Sequence, residues 1–403
     1  MITMRASSRR IRASVATAAL LAILASCASR PAVIPAATVA APTFAPAFAR
    51  VEAWVAQGAF PGAVLAVGRG GRLVAIRAVG RIEQADDAAP MRSDTIFDLA
   101  SLTKVVATTT AAMILVDAGT LDLDAPVVRY LPAFGRGAKH DRILVRHLLA
   151  HSSGLFREVQ LWRDTTDPAA MRRIIDIMDV AWPPGTHFQY RDENMILLAD
   201  IVAAVSGERL DRFAARRIFT PLGMTDTRFN PPSDLRDRIA PTERDTSWRH
   251  RLLRGEVHDE NAFALGGVAG HAGLFATAQD LSRFAQMILD SGRIKGRQMV
   301  RAETIAAFAT PQPLPPGTSR ALGWDTPGAT KGFAGPLASP GAIMHTGFTG
   351  TSLYIDRARG AYVILLTNRV NPTRDNALIG AARRDIHTAV LAALDQPGLA
   401  APR

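Results

Sequence analysis

The chain has 403 residues, and its 47 lysines and arginines against 36 acidic residues give a formal net charge of +11. The basic residues are interspersed with acids and lack basic runs with interleaved aromatics, which argues against a nucleic-acid partner. Cys27 is the single cysteine, so an internal disulfide is excluded.

The N-terminus has the pattern of a lipoprotein signal peptide. Four arginines in residues 5–12 precede an apolar run over residues 13–24, which is too short to span a bilayer as a helix. The sequence Leu-Ala-Ser-Cys that ends at Cys27 resembles a bacterial lipobox, in which the cysteine is lipidated. We predict a signal peptide over residues 1–26; an ordinary cleaved signal with an incidental cysteine is the alternative. By resemblance to enterobacterial lipoproteins, Ala28 rather than aspartate after the cysteine favours a periplasmic protein anchored to the outer membrane of a Gram-negative bacterium.

Composition divides the remaining chain into two parts. Residues 27–47 are rich in alanine and proline, which predicts an extended tether without a core of its own. Residues 48–395 fit one large domain.

Both ends of this domain carry strand patterns. Apolar runs over residues 63–67 and 73–78 flank Arg-Gly-Gly-Arg, which predicts a β-hairpin. A second pair of runs, over residues 352–356 and 361–367, predicts another hairpin. A closing helix over residues 376–394 follows, with its apolar residues on one face.

The middle of the domain is mainly helical. The pattern over residues 101–117 predicts a helix that stops at Gly119, and Thr277 to Asp280 resembles a capping box that opens a helix through Leu289. The simplest arrangement is an α/β (α+β) fold: strands from both chain ends form one antiparallel sheet flanked by helices, with a mostly helical subdomain inserted. A cleft at the junction is a common place for a site.

Lys104 is one of only four lysines in an arginine-rich chain, and it follows Ser101 by three residues. Arginine stays protonated in proteins, whereas a buried lysine can lose its proton and act as a base. A serine and a lysine one helical turn apart therefore suggest a nucleophile and its proton acceptor. The alternative is a solvated lysine that follows a serine by chance.

Two later segments offer the other parts that such a pair needs. Tyr190 ends a loop before a helical run from Asn194 and could be a second proton-transfer group. The sequence His-Thr-Gly at residues 345–347 lies just before a predicted strand, where small residues let backbone N–H groups approach a substrate.

In that order and spacing, Ser-x-x-Lys, Tyr-x-Asp and His-Thr-Gly resemble the motifs of class C β-lactamases and penicillin-binding-protein-like serine hydrolases. Residues 144–155, 183–190 and 271–284 agree with the same family, and the resemblance covers about residues 50–394. The resemblance implies the β-lactamase/transpeptidase-like fold and a hydrolase without a cofactor.

By this resemblance Ser101 is the acylated nucleophile, and Lys104 and Tyr190 share the proton transfers. Which of the two is the acylation base stays open. The backbone N–H groups of Ser101 and Phe348 would form the oxyanion hole.

The resemblance also implies a substrate-binding set, and two of its members depart from the β-lactamase pattern. His345, Thr346 and Gly347 would bind a carboxylate or amide of the substrate. Asp192 stands where class C enzymes have asparagine, and His345 where they have lysine. Both changes weaken attraction for a carboxylate, and an unperturbed histidine would bind one fully only below about pH 6.5. Asn194 would replace the missing amide only if the loop were shifted.

Several further histidines suggest metal ligands but are better explained otherwise. Residues 258–260 and His271 lack helical ligand spacing and are expected to have structural or substrate-rim roles, so no metal is predicted. His147 and His151 lie four residues apart in a packing segment of the family and are predicted to be structural.

We therefore predict a lipid-anchored periplasmic serine hydrolase that acts on peptides ending in D-amino acids, or on small esters and amides. A class C-type β-lactamase is one alternative. A catalytically silent protein that binds cell-wall ligands is the other, although the intact Ser101, Lys104 and Tyr190 argue against it.

Overall fold

The computed structural model of the protein describes residues 42–156 and 160–396. The predicted signal peptide, Cys27 and most of the predicted tether lie outside these residues. The first helix already begins at Ala45, inside the stretch predicted as tether. In the part of the chain that is described, no helix is long and apolar enough to cross a membrane.

Fourteen strands form the described sheets. In chain order they are β1 Gly62–Arg69, β2 Arg72–Gly80, β3 Phe97–Asp98, β4 Leu155–Phe156, β5 Asp179–Val180, β6 Arg228–Phe229, β7 Arg244–Asp245, β8 Arg251–Leu252, β9 Leu274–Ala276, β10 Arg293–Ile294, β11 Arg297–Gln298, β12 Ile343–Thr346, β13 Ser352–Asp356 and β14 Ala361–Thr367.

Helices form the other regular elements of the described residues. The α-helices are α1 Ala45–Ala56, α2 Thr110–Asp117, α3 Val145–Leu149, α4 Leu161–Asp164, α5 Pro168–Asp176, α6 Asp192–Ser206, α7 Leu210–Ala214, α8 Thr220–Leu222, α9 Glu260–Ala264, α10 Ala278–Leu289, α11 Ala302–Ala309 and α12 Ile379–Leu394. Two π-helical segments occupy Lys104–Thr109 and Ala215–Phe219, and short 3-10 helices occupy Pro42–Phe44, Val127–Arg129, Pro132–Arg136, His140–Arg142, Ser233–Arg238 and Gly332–Ala334.

The main sheet confirms the predicted union of the two chain ends. Its order is β12-β13-β14-β1-β2, with antiparallel pairing throughout, and β1 lies beside β14 so that Ala63 faces Thr367. Successive side chains of a strand point to opposite faces. Leu65 and Val67 accordingly share a core with α1 and α12, whereas Val64 and Ala66 share a core with the inserted helical region.

The predicted helices are present, with local differences at their ends. The π segment and α2 together cover the helix predicted over residues 101–117, and Gly119 follows with a φ of +71°. Thr277 caps α10 by accepting the Asp280 N–H, but the predicted capping box is incomplete. The Asp280 carboxylate accepts bonds from the Asp226 N–H and the Thr227 hydroxyl instead.

Two predicted placements near the cleft need correction. His345 and Thr346 lie within β12, the edge strand of the main sheet, rather than just before a strand. The helix predicted from Asn194 begins earlier, at Asp192, so Asp192 sits in its first turn.

Candidate active site

A rigid turn presents Ser101 at the start of the π-helical segment. Ala100 has a φ of +46°, which non-glycine residues rarely adopt. The buried Asp98 carboxylate stabilises this turn by accepting the Ala100 N–H at 2.8 Å, and it also accepts the His258 N–H at 2.7 Å. Burial raises the pKa of Asp98, while these two bonds favour its charged form. No sequence motif had indicated this role for Asp98.

Lys104 lies directly beneath Ser101, as predicted from their spacing. Its Nζ donates to Ser101 Oγ at 2.9 Å and to the His271 carbonyl at 3.1 Å, and lies 2.7 Å from Asp192 Oδ1. The lysine is fully buried. The alternative of a solvated lysine is therefore wrong.

The charges around Lys104 decide its protonation state. Burial pushes its pKa down, but the Asp192 carboxylate and Tyr190 outweigh burial, so the net pKa is raised. Lys104 is therefore an ammonium group that donates to Ser101 Oγ. The structure therefore does not support the prediction that Lys104 gives up its proton readily.

Tyr190 lies on the open side of the same pair, with 40% of its surface exposed. Its ring lies 4.9 Å from Lys104 Nζ and 5.9 Å from the Arg320 guanidinium carbon, and it stacks on His151 at 4.5 Å. His151 Nδ1 accepts the Arg191 N–H at 3.2 Å and so fixes the loop that carries Tyr190. His151 thus supports the site, which agrees with the structural role predicted for it.

A pocket of about 280 Å³ brings the predicted residues together. Its lining includes six residues of the predicted set: Ser101, Tyr190, His345, Thr346, Gly347 and Phe348. Within residues 42–156 and 160–396, neither the Ser101 N–H nor the Phe348 N–H has a hydrogen-bond acceptor. Both are thus available to an oxyanion, and their assignment to an oxyanion hole stays a prediction.

His345 does not offer the pH-dependent charge expected from its sequence position. It is buried, and its Nδ1 lies 2.9 Å from the Thr346 carbonyl, which accepts the Nδ1 hydrogen. Burial, with Arg320 and Lys104 nearby, holds its pKa well below the ordinary value. The imidazole therefore stays neutral near pH 7 and cannot attract a carboxylate by charge.

Asp192 has a different partner from the substrate predicted for it, and Asn194 is not placed to supply the missing amide. Asp192 is paired with Lys104 and is absent from the pocket lining, so its carboxylate serves the lysine rather than a substrate. Asn194 is fully buried, with its Nδ2 3.4 Å from His151 Nδ1, and is not part of the lining either.

Two arginines that the sequence did not single out line the pocket. Arg369 and Arg383 are both buried, and their described polar contacts are with backbone carbonyls rather than carboxylates. Burial and the nearby Arg369 lower the pKa of Arg383 to about 9. Both lie in the C-terminal segment, where the sequence showed only a strand and an apolar helical face.

Only one set of side chains in the described ranges groups three potential metal ligands near the site. Oxygen or nitrogen atoms of Asp192, Asp259 and His271 lie within 4.8 Å of one another. The Lys104 ammonium contacts Asp192, and His271 Nε2 bonds to Asp259 at 2.8 Å, so the negative charges already have cationic or N–H partners.

The other histidines have the structural and rim roles predicted for them. His147 Nδ1 accepts the Leu144 N–H at the start of α3. His258 Nε2 lies 3.0 Å from the Glu243 carboxylate, and its ring stacks on Phe348 at the pocket rim.

Comparison with known proteins agrees with the fold and the motifs. The sequence model of the family described as Beta-lactamase matches residues 47–388. A Bacillus subtilis (strain 168) protein named "N-acetylmuramyl-L-alanine amidase" is 34% identical over 357 residues, covering 79% of each chain. An Escherichia coli (strain K12) protein named "Putative D-alanyl-D-alanine carboxypeptidase" is 30% identical, covering 79% of this chain and 82% of that protein.

A solved structure extends the likeness to three dimensions. The penicillin-binding protein homologue from Caulobacter crescentus has a TM-score of 0.71 and 24% identity, covering 87% of this chain and 97% of that one. This likeness confirms the β-lactamase/transpeptidase-like fold.

The fold and the site define a serine hydrolase of the penicillin-binding-protein type. The chain belongs to the Beta-lactamase family, and it is an enzyme rather than a silent binding protein.

The Lys104–Asp192 pair gives a prediction for stability. In the wild type the folded-state pKa of Lys104 is raised, so the pair's contribution is complete below the unfolded pKa of about 10.4 and is lost only at higher pH. Asp192→Asn should lower the free energy of unfolding at about pH 7 by about 1 to 3 kcal/mol, because it leaves a buried ammonium unpaired beside a partly exposed site.

The sign of the pH dependence provides the control. Without Asp192, burial should lower the pKa of Lys104, so the folded state would bind fewer protons than the unfolded state. Urea unfolding should then show that the variant gains stability relative to wild type between about pH 7 and about pH 9. Equal stability of the two proteins at both pH values would contradict a stabilising ion pair.

Proposed function

We propose that the protein hydrolyses cell-wall peptides bearing a free carboxylate, through an acyl-enzyme on Ser101. The observation that carries this proposal is the meeting of Ser101, Lys104 and Tyr190 with two unused backbone N–H groups in one pocket. A nucleophile, a proton-transfer group and an oxyanion site are the parts that acyl transfer requires.

The chemistry follows from the charges at the site. The Ser101 hydroxyl attacks the substrate carbonyl, and the Tyr190 hydroxyl, whose ring lies near the Lys104 ammonium and the Arg320 guanidinium, relays its proton towards the leaving amine. The phenol then protonates the leaving amine as the acyl-enzyme forms. Water attacks the ester by the reverse proton route and restores Ser101. Because Lys104 is held as an ammonium by Asp192, we assign the base role to Tyr190 and the electrostatic role to Lys104.

The substrate class is inferred from charge and from the relatives. Arg369 is a buried cation at the pocket that forms no ion pair with a carboxylate of the described residues, and a carboxylate of the substrate would supply one. One relative is named for muramyl-alanine amide cleavage and another for D-alanyl-D-alanine cleavage. Both names support a peptide of the bacterial cell wall, ending in a D-amino acid in the carboxypeptidase case.

The location is proposed from the sequence. The lipobox-like segment ending at Cys27 supports lipid anchoring on the periplasmic side of the outer membrane, where cell-wall peptides occur. The alanine- and proline-rich stretch after it would separate the enzyme from the anchor.

The nucleophile can be tested by covalent labelling. Ser101→Ala should abolish labelling by a fluorescent phosphonate and hydrolysis of every substrate, because Ser101 Oγ is the hydroxyl bonded to Lys104 Nζ. Intact-protein mass spectrometry would locate any adduct. Thr103→Ala is a matched hydroxyl deletion two residues away and should still be labelled. Labelling that persists on Ser101→Ala would remove Ser101 from the mechanism.

Carboxylate recognition can be separated from catalysis with paired substrates. The wild type should prefer a D-alanyl-D-alanine peptide to its C-terminal carboxamide. Arg369→Met should reduce that preference by about 10-fold, or about 1 to 2 kcal/mol, mainly through KM. Steady-state kinetics on both peptides gives the comparison, and an unchanged preference would show that Arg369 does not bind the carboxylate.

The same substrates test the charge state of His345. Because its pKa lies well below the ordinary value, the wild-type preference should not change between about pH 6 and about pH 8. A preference that falls with rising pH would mean that the protonated imidazole binds the carboxylate after all.

The anchor has its own test. Cys27→Ser should convert a protein that sediments with membranes into a soluble periplasmic one of equal specific activity, since the predicted tether separates domain and lipid. Fractionation of expressing cells measures this. A wild-type protein found free in the periplasm would contradict the anchor without affecting the enzymatic proposal.

A further inference from the structure

The Gly347–Phe348 peptide carries the second proposed oxyanion donor, and its orientation decides whether that donor exists. In a trans peptide the C=O and N–H point in opposite directions. A flipped peptide would therefore turn the Gly347 carbonyl towards the pocket and withdraw the Phe348 N–H. An oxygen in that place would repel the developing oxyanion rather than stabilise it.

Glycine is required at position 347, although it makes such a flip easier. A Cβ there would lie 2.2 Å from Thr351 Oγ1 and 2.4 Å from the Leu99 carbonyl, too close for any side chain. Glycine also has the widest choice of backbone angles. The segment after β12 approaches the Ser101 turn so closely that only glycine fits. The donor peptide therefore lacks the restraint that a side chain would give.

Arg383 supplies a restraint from the other side. One of its terminal nitrogens, Nη2, donates to the Gly347 carbonyl at 2.6 Å and to the Thr351 carbonyl at 2.8 Å. Thr351 in turn accepts the Gly347 N–H at 2.8 Å. The Gly347 carbonyl also accepts the Gly350 N–H at 3.0 Å, so a flip of the donor peptide would break this turn bond together with the charge-assisted bond from Arg383. It would also leave a buried guanidinium N–H unpaired, which is costly.

We propose that Arg383 is a positioning residue of the oxyanion hole, which holds the Gly347 carbonyl away from Ser101 so that the Phe348 N–H faces the reacting carbonyl. The proposal rests on acyl-enzyme chemistry at Ser101 but not on the identity of the natural substrate. Arg383 lies in α12, 36 residues beyond Gly347, so the closing helix takes part in the reaction without touching the reacting atoms.

Two threonine hydroxyls link this half of the oxyanion hole to the other. Thr349 Oγ1 donates to the Asp98 carbonyl at 2.8 Å, and Thr351 Oγ1 donates to the Leu99 carbonyl at 3.0 Å. Both acceptors belong to the turn that presents Ser101. The contacts of Arg383 therefore orient one donor peptide, while the threonines fix its distance from the other.

The test uses a neutral ester, p-nitrophenyl acetate, so that it works whatever the natural substrate is. Arg383→Met should lower kcat by about 100-fold with little change in KM, because the lost donor acts on charge that develops in the transition state. Arg383→Lys keeps a cation and one donor and should recover part of the rate. Phosphonate labelling of Ser101 should slow by a similar factor.

A neighbouring arginine provides the matched control. Arg384 lies next to Arg383 in the same helix but is exposed and donates to the Gly332 carbonyl, away from the pocket. Arg384→Met should retain wild-type kcat. Thermal unfolding of each variant separates a loss of rate from a loss of fold; if Arg383→Met does not fold, Arg383→Lys and Arg383→Gln carry the test.

Other outcomes would overturn the proposal. A folded Arg383 variant with near-normal kcat on the ester would show that the peptide keeps its orientation unaided. A loss confined to carboxylate-bearing peptides and to KM would make Arg383 a substrate contact instead. Ester hydrolysis that survives Ser101→Ala would contradict the proposed function rather than the role of Arg383. The two failures are distinguishable, because the first is seen with Arg383 intact.

Discussion

The site depends on a buried ammonium group. Lys104 has no solvent contact, and a charge in such a place is tolerated only with close partners. Asp192 provides the opposite charge. Ser101 Oγ and the His271 carbonyl accept hydrogen bonds from the same Lys104 ammonium group. These partners come from the Ser101 turn, the first turn of α6 and the segment before β9. Pairing of one lysine thus brings two distant parts of the chain to the turn that carries Ser101.

This pairing changes how charge is distributed over the pocket. Aspartate at position 192 stabilises the cation of Lys104, and neutral histidine at position 345 removes a cation from the sheet edge. Positive charge is found instead on Arg320 beside Tyr190 and on Arg369 and Arg383 at the opposite wall. The two departures from the β-lactamase motifs are therefore connected, since each changes the charge that surrounds the phenol and the substrate.

Local sequence patterns predicted the main strands and the motif residues of the site. Apolar runs flanking turn residues identified β1, β2, β13 and β14, and three spaced motifs identified residues that the pocket brings together. Protonation states could not be predicted in this way, because they depend on burial and on charges from elsewhere in the chain. His345 is the clearest example: its residue type suggests titration near neutral pH, but burial, with Arg320 and Lys104 nearby, holds its pKa well below that range.

Residues that act through the backbone were also beyond sequence reasoning. Asp98 and Arg383 contact peptide groups rather than other side chains, so no residue-type pairing indicates them. Asp98 and Arg383 have similar structural roles. Asp98 accepts a hydrogen bond from the left-handed Ala100, and Arg383 donates to the carbonyl of a glycine that close packing requires. Each of the two backbone segments proposed to donate to the oxyanion is thus hydrogen-bonded to a charged side chain, Asp98 in the buried turn and Arg383 in the closing helix.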